Sequence, residues 1–166
     1  MIFSTITNIK RLSQSRVYIM DGTFSIAPCA FKQIFTIHGC AGINAKKFLP
    51  YVHMLLPNKW ENTYKRALRF LKNIAENDVS LNPKIILTDF ESAEINGISK
   101  VFPEAVQCGC FFHLVKNLWK RIQKLGLTNA FNSKVKVQMA FRQVEALAFL
   151  KPQEVPEGFT TARCSS

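Results

Sequence analysis

Two short runs of strand-forming residues, each ending on a carboxylate, constrain this chain more than any other feature. The first is Val17-Tyr18-Ile19-Met20-Asp21-Gly22-Thr23-Phe24, and the second is Lys84-Ile85-Ile86-Leu87-Thr88-Asp89-Phe90-Glu91. Apolar β-formers bounded by turn residues fit central strands buried on both faces. An Asp closing such a strand lies at the rim of the sheet, and two such rims side by side make a metal site. The remaining Asp, Asp78, sits in a polar Glu-Asn-Asp stretch that reads as a loop. The plain alternative for Asp21 and Asp89 is a turn Asp that bonds its own backbone at the end of a strand.

The rest of the chain bounds what such a sheet could serve. At 166 residues it is one domain's worth, enough to bury about two-thirds of the unfolded surface. The net charge of +11 exceeds what solubility requires and favours polyanions, nucleic acid first and an anionic membrane surface second. No stretch approaches the roughly 18 apolar residues of a membrane span. The first 20 residues mix Asn, Lys, Arg, Ser and Gln and lack a signal-peptide core. The expectation is a soluble intracellular protein with no membrane partner. Five cysteines, an odd number beside a good apolar core, point to reduced thiols and not to a disulfide framework.

Taken in order, Met1 to Arg16 reads as a polar tail. After the first carboxylate strand, Pro28 marks a turn, and Phe31 to Cys40 is strand-like until Gly39 and Gly42 break it. Lys47 to Leu56 supplies a third strand, and the short connections suggest an antiparallel meander. Asn58 can cap a helix with Glu61 in the capping-box position. Trp60, Tyr64, Ala67, Leu68, Leu71, Ile74 and Ala75 form its apolar face, opposite Lys65, Arg66, Arg69 and Lys72. Past the second carboxylate strand, a short helix from Ser92 places Ile95, Ile98 and Phe102 inward and ends at Pro103. Ala105 to Phe112 reads as a fifth strand. From His113 a helix carries an apolar stripe of Leu114, Leu118, Ile122 and Leu125, with Gly126 as its C-cap. Lys116, Lys120 and Lys124, with Arg121 beside them, form a basic ridge on that helix. A last helix is expected over about Lys134 to Leu150, and the residues after Pro152 read as frayed. Strand-helix-strand crossovers require parallel pairing. The predicted fold is therefore α/β: a five-stranded mixed sheet, three strands antiparallel and then two parallel, with helices on both faces.

Four segments, Met20-Asp21-Gly22-Thr23-Phe24, Leu87-Thr88-Asp89, Val101-Phe102-Pro103 and Cys110-Phe111-Phe112-His113-Leu114-Val115-Lys116-Asn117, together resemble the Mutator-like (MULE) transposase domain. That domain belongs to the ribonuclease H-like DDE transposases, and the likeness covers about Val17 to Phe159. It implies a tail over 1–16, a ribonuclease H-like core over 17–126, and the start of a helical insertion with a frayed tail over 127–166. It implies neighbouring first and fourth strands, which lie about 4.8 Å apart. Asp21 and Asp89 would then be the first two acids of a catalytic triad, holding a pair of Mg²⁺ or Mn²⁺ ions for metal-dependent cleavage and strand transfer of transposon-end DNA. Nuclear location would follow from that substrate, with the cytoplasm as the alternative, and the partners expected are DNA and a second copy of the chain as a homo-oligomer.

The family's third acid is a Glu well beyond the Cys-x-x-His feature, and the chain ends within what resembles the insertion before it. Glu145 is the first carboxylate after the His113 helix, among residues that look like insertion helix. The expectation is a truncated enzyme, inactive alone, that also lacks the family's upstream DNA-binding region. The alternative is a non-catalytic, transposase-derived module that binds nucleic acid or protein. Cys110 and His113 match the family's structural motif. Zinc is disfavoured, because only Cys108, Cys110 and His113 lie together locally and zinc needs about four ligands. His113, Lys116, Lys120, Arg121 and Lys124 are the candidate nucleic-acid contacts, positioning the backbone without reading sequence. Trp60 reads as core. Glu91 and Glu94 read as favourable charges at a helix N-terminus.

Overall fold

The computed structural model of the chain describes residues 1–40 and 47–164. They fall into two units, Met1–Cys110 and Phe111–Ser166. The first unit runs β1 (Ile2–Phe3), α1 (Ile6–Ser13), β2 (Val17–Thr23), β3 (Gln33–Cys40), β4 (Phe48–Leu56), α2 (Glu61–Glu76), β5 (Ile85–Thr88), α3 (Ser92–Ser99) and β6 (Val106–Gly109).

Its strands form one mixed sheet in the order β1-β4-β3-β2-β5-β6. The run from β1 through β4 and β3 to β2 is antiparallel, and β5 and β6 continue parallel to β2. The expected meander and crossovers are present, but the sheet has six strands where the sequence suggested five. The sixth comes from the segment read as a tail. Ile2 pairs with Met54, and the Leu55 N–H donates to the Met1 carbonyl at 2.9 Å. The Thr5 hydroxyl accepts the Asn8 N–H at 3.1 Å to cap α1, which buries Ile9 and Leu12. Two turns of helix offer too few apolar positions for a period to show above polar neighbours.

Strand alternation puts Tyr18, Met20, Phe35, Ile37, Val52, Met54 and Ile86 on one face of the sheet, all buried. Burying each such side chain contributes about 1.5–3 kcal/mol. Helices α1, α2 and α3 all serve this face. Phe35 meets Tyr64 of α2 edge-on at 5.3 Å, and Tyr18 meets Phe102, which follows α3, at 6.4 Å. A Cβ on Gly39 would lie 3.0 Å from Leu12 of α1. Gly39 therefore continues β3 and does not break it, because the bare backbone lets α1 close in; Gly42 lies outside the described residues. Within this unit the three helices lie on this one face. The other face carries Ile19, Asp21, Ile34, His38 and Leu87, all partly buried. Gly97 sets the α2–α3 spacing, since a Cβ there would stand 2.8 Å from the Tyr64 Cβ.

At α2 the first helical residue is Glu61 and the cap position is Trp60, not Asn58. Asn58 still serves the helix entrance, its Oδ1 accepting the Trp60 N–H at 3.1 Å and the Thr63 hydroxyl at 2.6 Å. Tyr64, Leu68, Leu71 and Ala75 are buried as expected, whereas Trp60 is 72% exposed, because it precedes the helix instead of continuing its stripe.

The second unit holds α4 (Phe111–Lys124), α5 (Thr128–Ser133), α6 (Val135–Ala146), 3-10 turns at Leu147–Phe149 and Pro152–Glu154, and α7 (Val155–Cys164). The fifth predicted strand stops at Gly109, and α4 starts two residues before His113. Gly126 adopts φ +69° and the Leu127 N–H donates to the Ile122 carbonyl at 3.0 Å, closing α4 as anticipated. The tail expected to fray is helical, and Pro156 is tolerated there because it occupies the first turn. No residue of α4, α5 or α6 is buried. Trp119, Phe131 and Phe141 nevertheless meet edge-on, at 5.0 Å for Trp119–Phe131 and 5.3 Å for Phe131–Phe141. No helix among the described residues is long and apolar enough to cross a membrane.

Candidate functional site

Parallel pairing between β2 and β5 runs Val17 with Ile85, Tyr18 with Ile86 and Ile19 with Leu87. Asp21 lies two residues past Ile19, and Asp89 lies two past Leu87. The same step thus carries Asp21 and Asp89 to one level of two neighbouring strands, whose backbones lie about 4.8 Å apart. Both are partly buried. Asp89 stands one residue beyond β5, and its Oδ1 accepts the Phe90 N–H at 2.6 Å, the local bond expected of a turn Asp. Asp21 is paired across the ladder with Thr36, whose hydroxyl lies 3.1 Å from His53 Nδ1.

A polar network fixes the residues around these two acids. Glu91 Oε2 accepts from Lys59 Nζ at 2.5 Å, and Glu91 Oε1 accepts the Tyr64 hydroxyl at 3.0 Å. That hydroxyl accepts from Gln33 Nε2 at 2.8 Å. The Gln33 amide oxygen occupies the place a Cβ on residue 22 would need, which is why glycine follows Asp21. Lys59 Nζ also stands 3.9 Å over the Phe24 ring, a cation–π contact that gathers the end of the Asp-Gly-Thr-Phe run toward α2. Burial first, and then the neighbouring Glu91 charge, push the Tyr64 phenol above its ordinary range despite the Gln33 bond. On the far side, Phe90 lies against Gly109 of β6, where a Cβ would sit 2.6 Å from the ring.

Glu91 and Glu94 are not the simple helix-end charges expected. Glu91 occupies the cap position of α3 without a capping bond from its side chain, because Lys59 and Tyr64 engage it. Glu94, in the first turn, is only 3% exposed, and its Oε1 has no hydrogen-bond partner. Burial above all, then the charges of Glu91, Asp89 and Asp21, raise its carboxyl to about 8, with Lys59 opposing. Four acidic side chains therefore feel one another at this rim. Among the described residues, however, no three His, Cys, Asp or Glu side chains converge closely enough to share one ion.

The sequence model of the MULE transposase domain matches residues 17–117, well over half of the chain. The chain belongs to the MULE transposase domain family. No curated protein sequence matches it.

In this MULE domain the matched segment runs from the start of β2 into α4. It takes in Asp21, Asp89, Glu91, Glu94, Cys110, His113 and Lys116, and leaves out β1, α1 and everything after the first half of α4. Cys110 closes the first unit, its N–H donating to the Thr88 carbonyl at 2.9 Å. His113 lies partly buried in the first turn of α4, within the second unit. Lys116, Lys120, Arg121 and Lys124 are exposed along that helix, so the basic ridge faces water. β3, with His38 and Cys40, is separated from β6 and Cys108 by β2 and β5. Glu145 belongs to α6 of the second unit.

Proposed function

We propose that Asp21 and Asp89 hold divalent cations for in-line phosphodiester displacement on DNA, in a ribonuclease H-like core of the DDE type. The observation that carries this reading is the in-step parallel pairing of β2 with β5, which brings two acids 68 residues apart in sequence to one rim. The order of β2 to β6, three antiparallel strands and then two parallel, supports the ribonuclease H-like assignment. The donor set fits hard cations such as Mg²⁺ or Mn²⁺, since carboxylate oxygens are their preferred ligands. The buried, unpartnered Glu94 oxygen beside the pair also fits a site with room for a positive charge. When bound, such cations supply a water of lowered pKa and neutralise charge on the scissile phosphate.

The chain's own residues have separate tasks in this reading. Asp21 and Asp89 bind the cations, and Lys59 and Tyr64 hold Glu91, and with it the segment after Asp89, against α2. Lys116, Lys120, Arg121 and Lys124 contact phosphates without selecting a base sequence. The test is Mn²⁺-dependent nicking of supercoiled plasmid by the wild type and by an Asp21→Ala, Asp89→Ala double variant. Nicking that falls to background in the variant supports the reading, and equal nicking by both overturns it.

A non-catalytic nucleic-acid-binding module is the second reading, favoured by the exposed basic ridge of α4. It predicts DNA binding in EDTA with no nicking in any divalent cation. In either case, each phosphate contact removed by Lys120→Ala or Lys124→Ala lowers the salt slope of binding by about 1.

A further inference from the structure

Helix α2 has more apolar surface than the sheet covers. Tyr64, Leu68, Leu71 and Ala75 are buried. The neighbouring stripe of Ala67, Phe70 and Ile74, spaced three and four residues apart, is not, with Phe70 59% exposed. Between this stripe and β1 lies a groove of about 590 Å³, with Ile2 and Leu56 on the strand side and Ala67 and Phe70 on the helix side. Its volume is that of pockets that take ligands. Arg66 and Arg69 also line the groove and no Asp or Glu does. Among the described residues neither arginine has an acidic partner. An apolar wall thus adjoins two guanidinium groups whose fork suits carboxylates.

The strand side is open as well. β1 is the last strand of the sheet. The Met1 nitrogen donates to the Leu55 carbonyl at 3.1 Å, and the Leu55 N–H donates to the Met1 carbonyl at 2.9 Å. By antiparallel alternation Ile2, opposite Met54, therefore turns its N–H and C=O away from β4. Edge strands with such groups accept a further strand. A phosphodiester chain suits the groove less, because its lining is recessed and apolar between the arginines, whereas the four cations of α4 stand exposed. A second copy suits it less too, since 22 Lys and Arg against 11 Asp and Glu make this chain a poor source of acidic segments.

We propose that the groove between β1 and α2 docks an acidic, extended segment of another protein. The segment adds a strand beside β1, its backbone meeting the free N–H and C=O of Ile2. Side chains two apart on a strand share a face. A bulky apolar residue with Glu or Asp two positions away on each side therefore presents all three toward α2. The apolar side chain covers Phe70 and Ala67, and the acids meet Arg66 and Arg69. Asp21 and Asp89 have no part in this site, so it stands or falls apart from the cation reading.

The probe is a fluorescein-labelled Thr-Glu-Thr-Leu-Thr-Glu-Thr peptide with blocked ends, titrated against the full chain by fluorescence anisotropy and placed by amide shifts in nuclear magnetic resonance. Its comparisons are the same peptide with Lys for Glu, the same with Ser for Leu, and a single-stranded thymidine oligonucleotide. The proposal expects saturable binding with Kd at or below about 1 mM and shifts centred on Ile2, Ala67 and Phe70. It expects about tenfold weaker binding by an Arg66→Ala, Arg69→Ala double variant, by Phe70→Ala and for the Ser peptide. Equal binding of the Glu and Lys peptides, or shifts that miss Ile2 and Phe70, overturns it. So does equal weakening by a Lys84→Ala, Lys134→Ala variant, because net charge would then explain the affinity. Oligonucleotide binding that drops in the arginine variant while peptide binding does not gives the groove to nucleic acid and overturns the peptide. A concentration-dependent dimer dispersed by Phe70→Ala, with no peptide bound, gives it to a second copy and overturns the proposal likewise. Every altered position is exposed, so the urea midpoints of the variants should match that of the wild type, and lost binding then reports on the groove and not on the fold.

Discussion

The sheet unit and the helical unit solve the problem of an apolar surface differently. In the first, one face of the sheet and three helices bury a continuous set of side chains from Ile9 to Phe102. In the second, none of α4 to α6 has a buried residue, and a groove of about 390 Å³ lined by Leu118, Ile122, Val137, Phe141 and Val144 lies open. The difference teaches that amphipathic sequence is not the same as a core. The α4 stripe is as regular as that of α2, yet only the α2 stripe consists of buried residues. The proposed chemistry is placed on the unit whose geometry is over-determined.

Several substitutions would break or sharpen that contrast. The largest effect is expected from Leu68→Ala, at a position with no exposure, which should cost about 2–5 kcal/mol in urea denaturation. Leu125→Ala, at a position 53% exposed, should stay within about 0.5 kcal/mol, and comparable losses at the two sites would erase the distinction.

Next comes pH. The Glu94 carboxyl is raised from 4.5 in the unfolded chain to about 8 in the fold. Its contribution is therefore fully present below pH 4.5, declines as the unfolded state ionises first, and is lost once pH passes about 8. Urea midpoints of the wild type should fall across that window, and those of Glu94→Gln should fall less. Trp119→Ala removes two edge-on ring contacts in the second unit, each worth about 0.5–1.5 kcal/mol beyond area. It should speed amide exchange in α4 to α6 while leaving β2 and β5 protected. A modest effect is expected at Gly126, where φ is +69° and a Cβ would meet nothing within 4 Å. Ala there should cost about 1 kcal/mol from backbone strain alone, read as a loss of α4 helicity.

Strands were legible where residue pattern and burial coincide. The runs of β2 and β5 carry β-branched and aromatic residues up to an Asp, and the ladder placed them side by side. The basic ridge was legible for the same reason, since helical spacing alone determines which residues share a face. What escaped was local and short. The α1 segment has only Ile6, Ile9 and Leu12 to announce it, and β1 is two residues long. Trp60 was misplaced because its spacing from Tyr64 suits a helix that in fact starts one residue later. Glu94 could have been found: with Gly97 and Ile98 it forms the buried side of α3, and an acid on an apolar stripe is a signal by itself. Its partnerless oxygen, by contrast, depends on where α2 and β2 end up, which no local pattern encodes.

The bonds from Glu91 to Lys59 and Tyr64 have a consequence for how the acid pair tolerates change. Asp89 is anchored from two directions: along the ladder by its strand, and through Glu91 by a helix that precedes it by a dozen residues or more. Loosening either anchor leaves the other in force, so alignment with Asp21 should erode gradually under substitution, and a lesion in the helix can mistune a site it never touches.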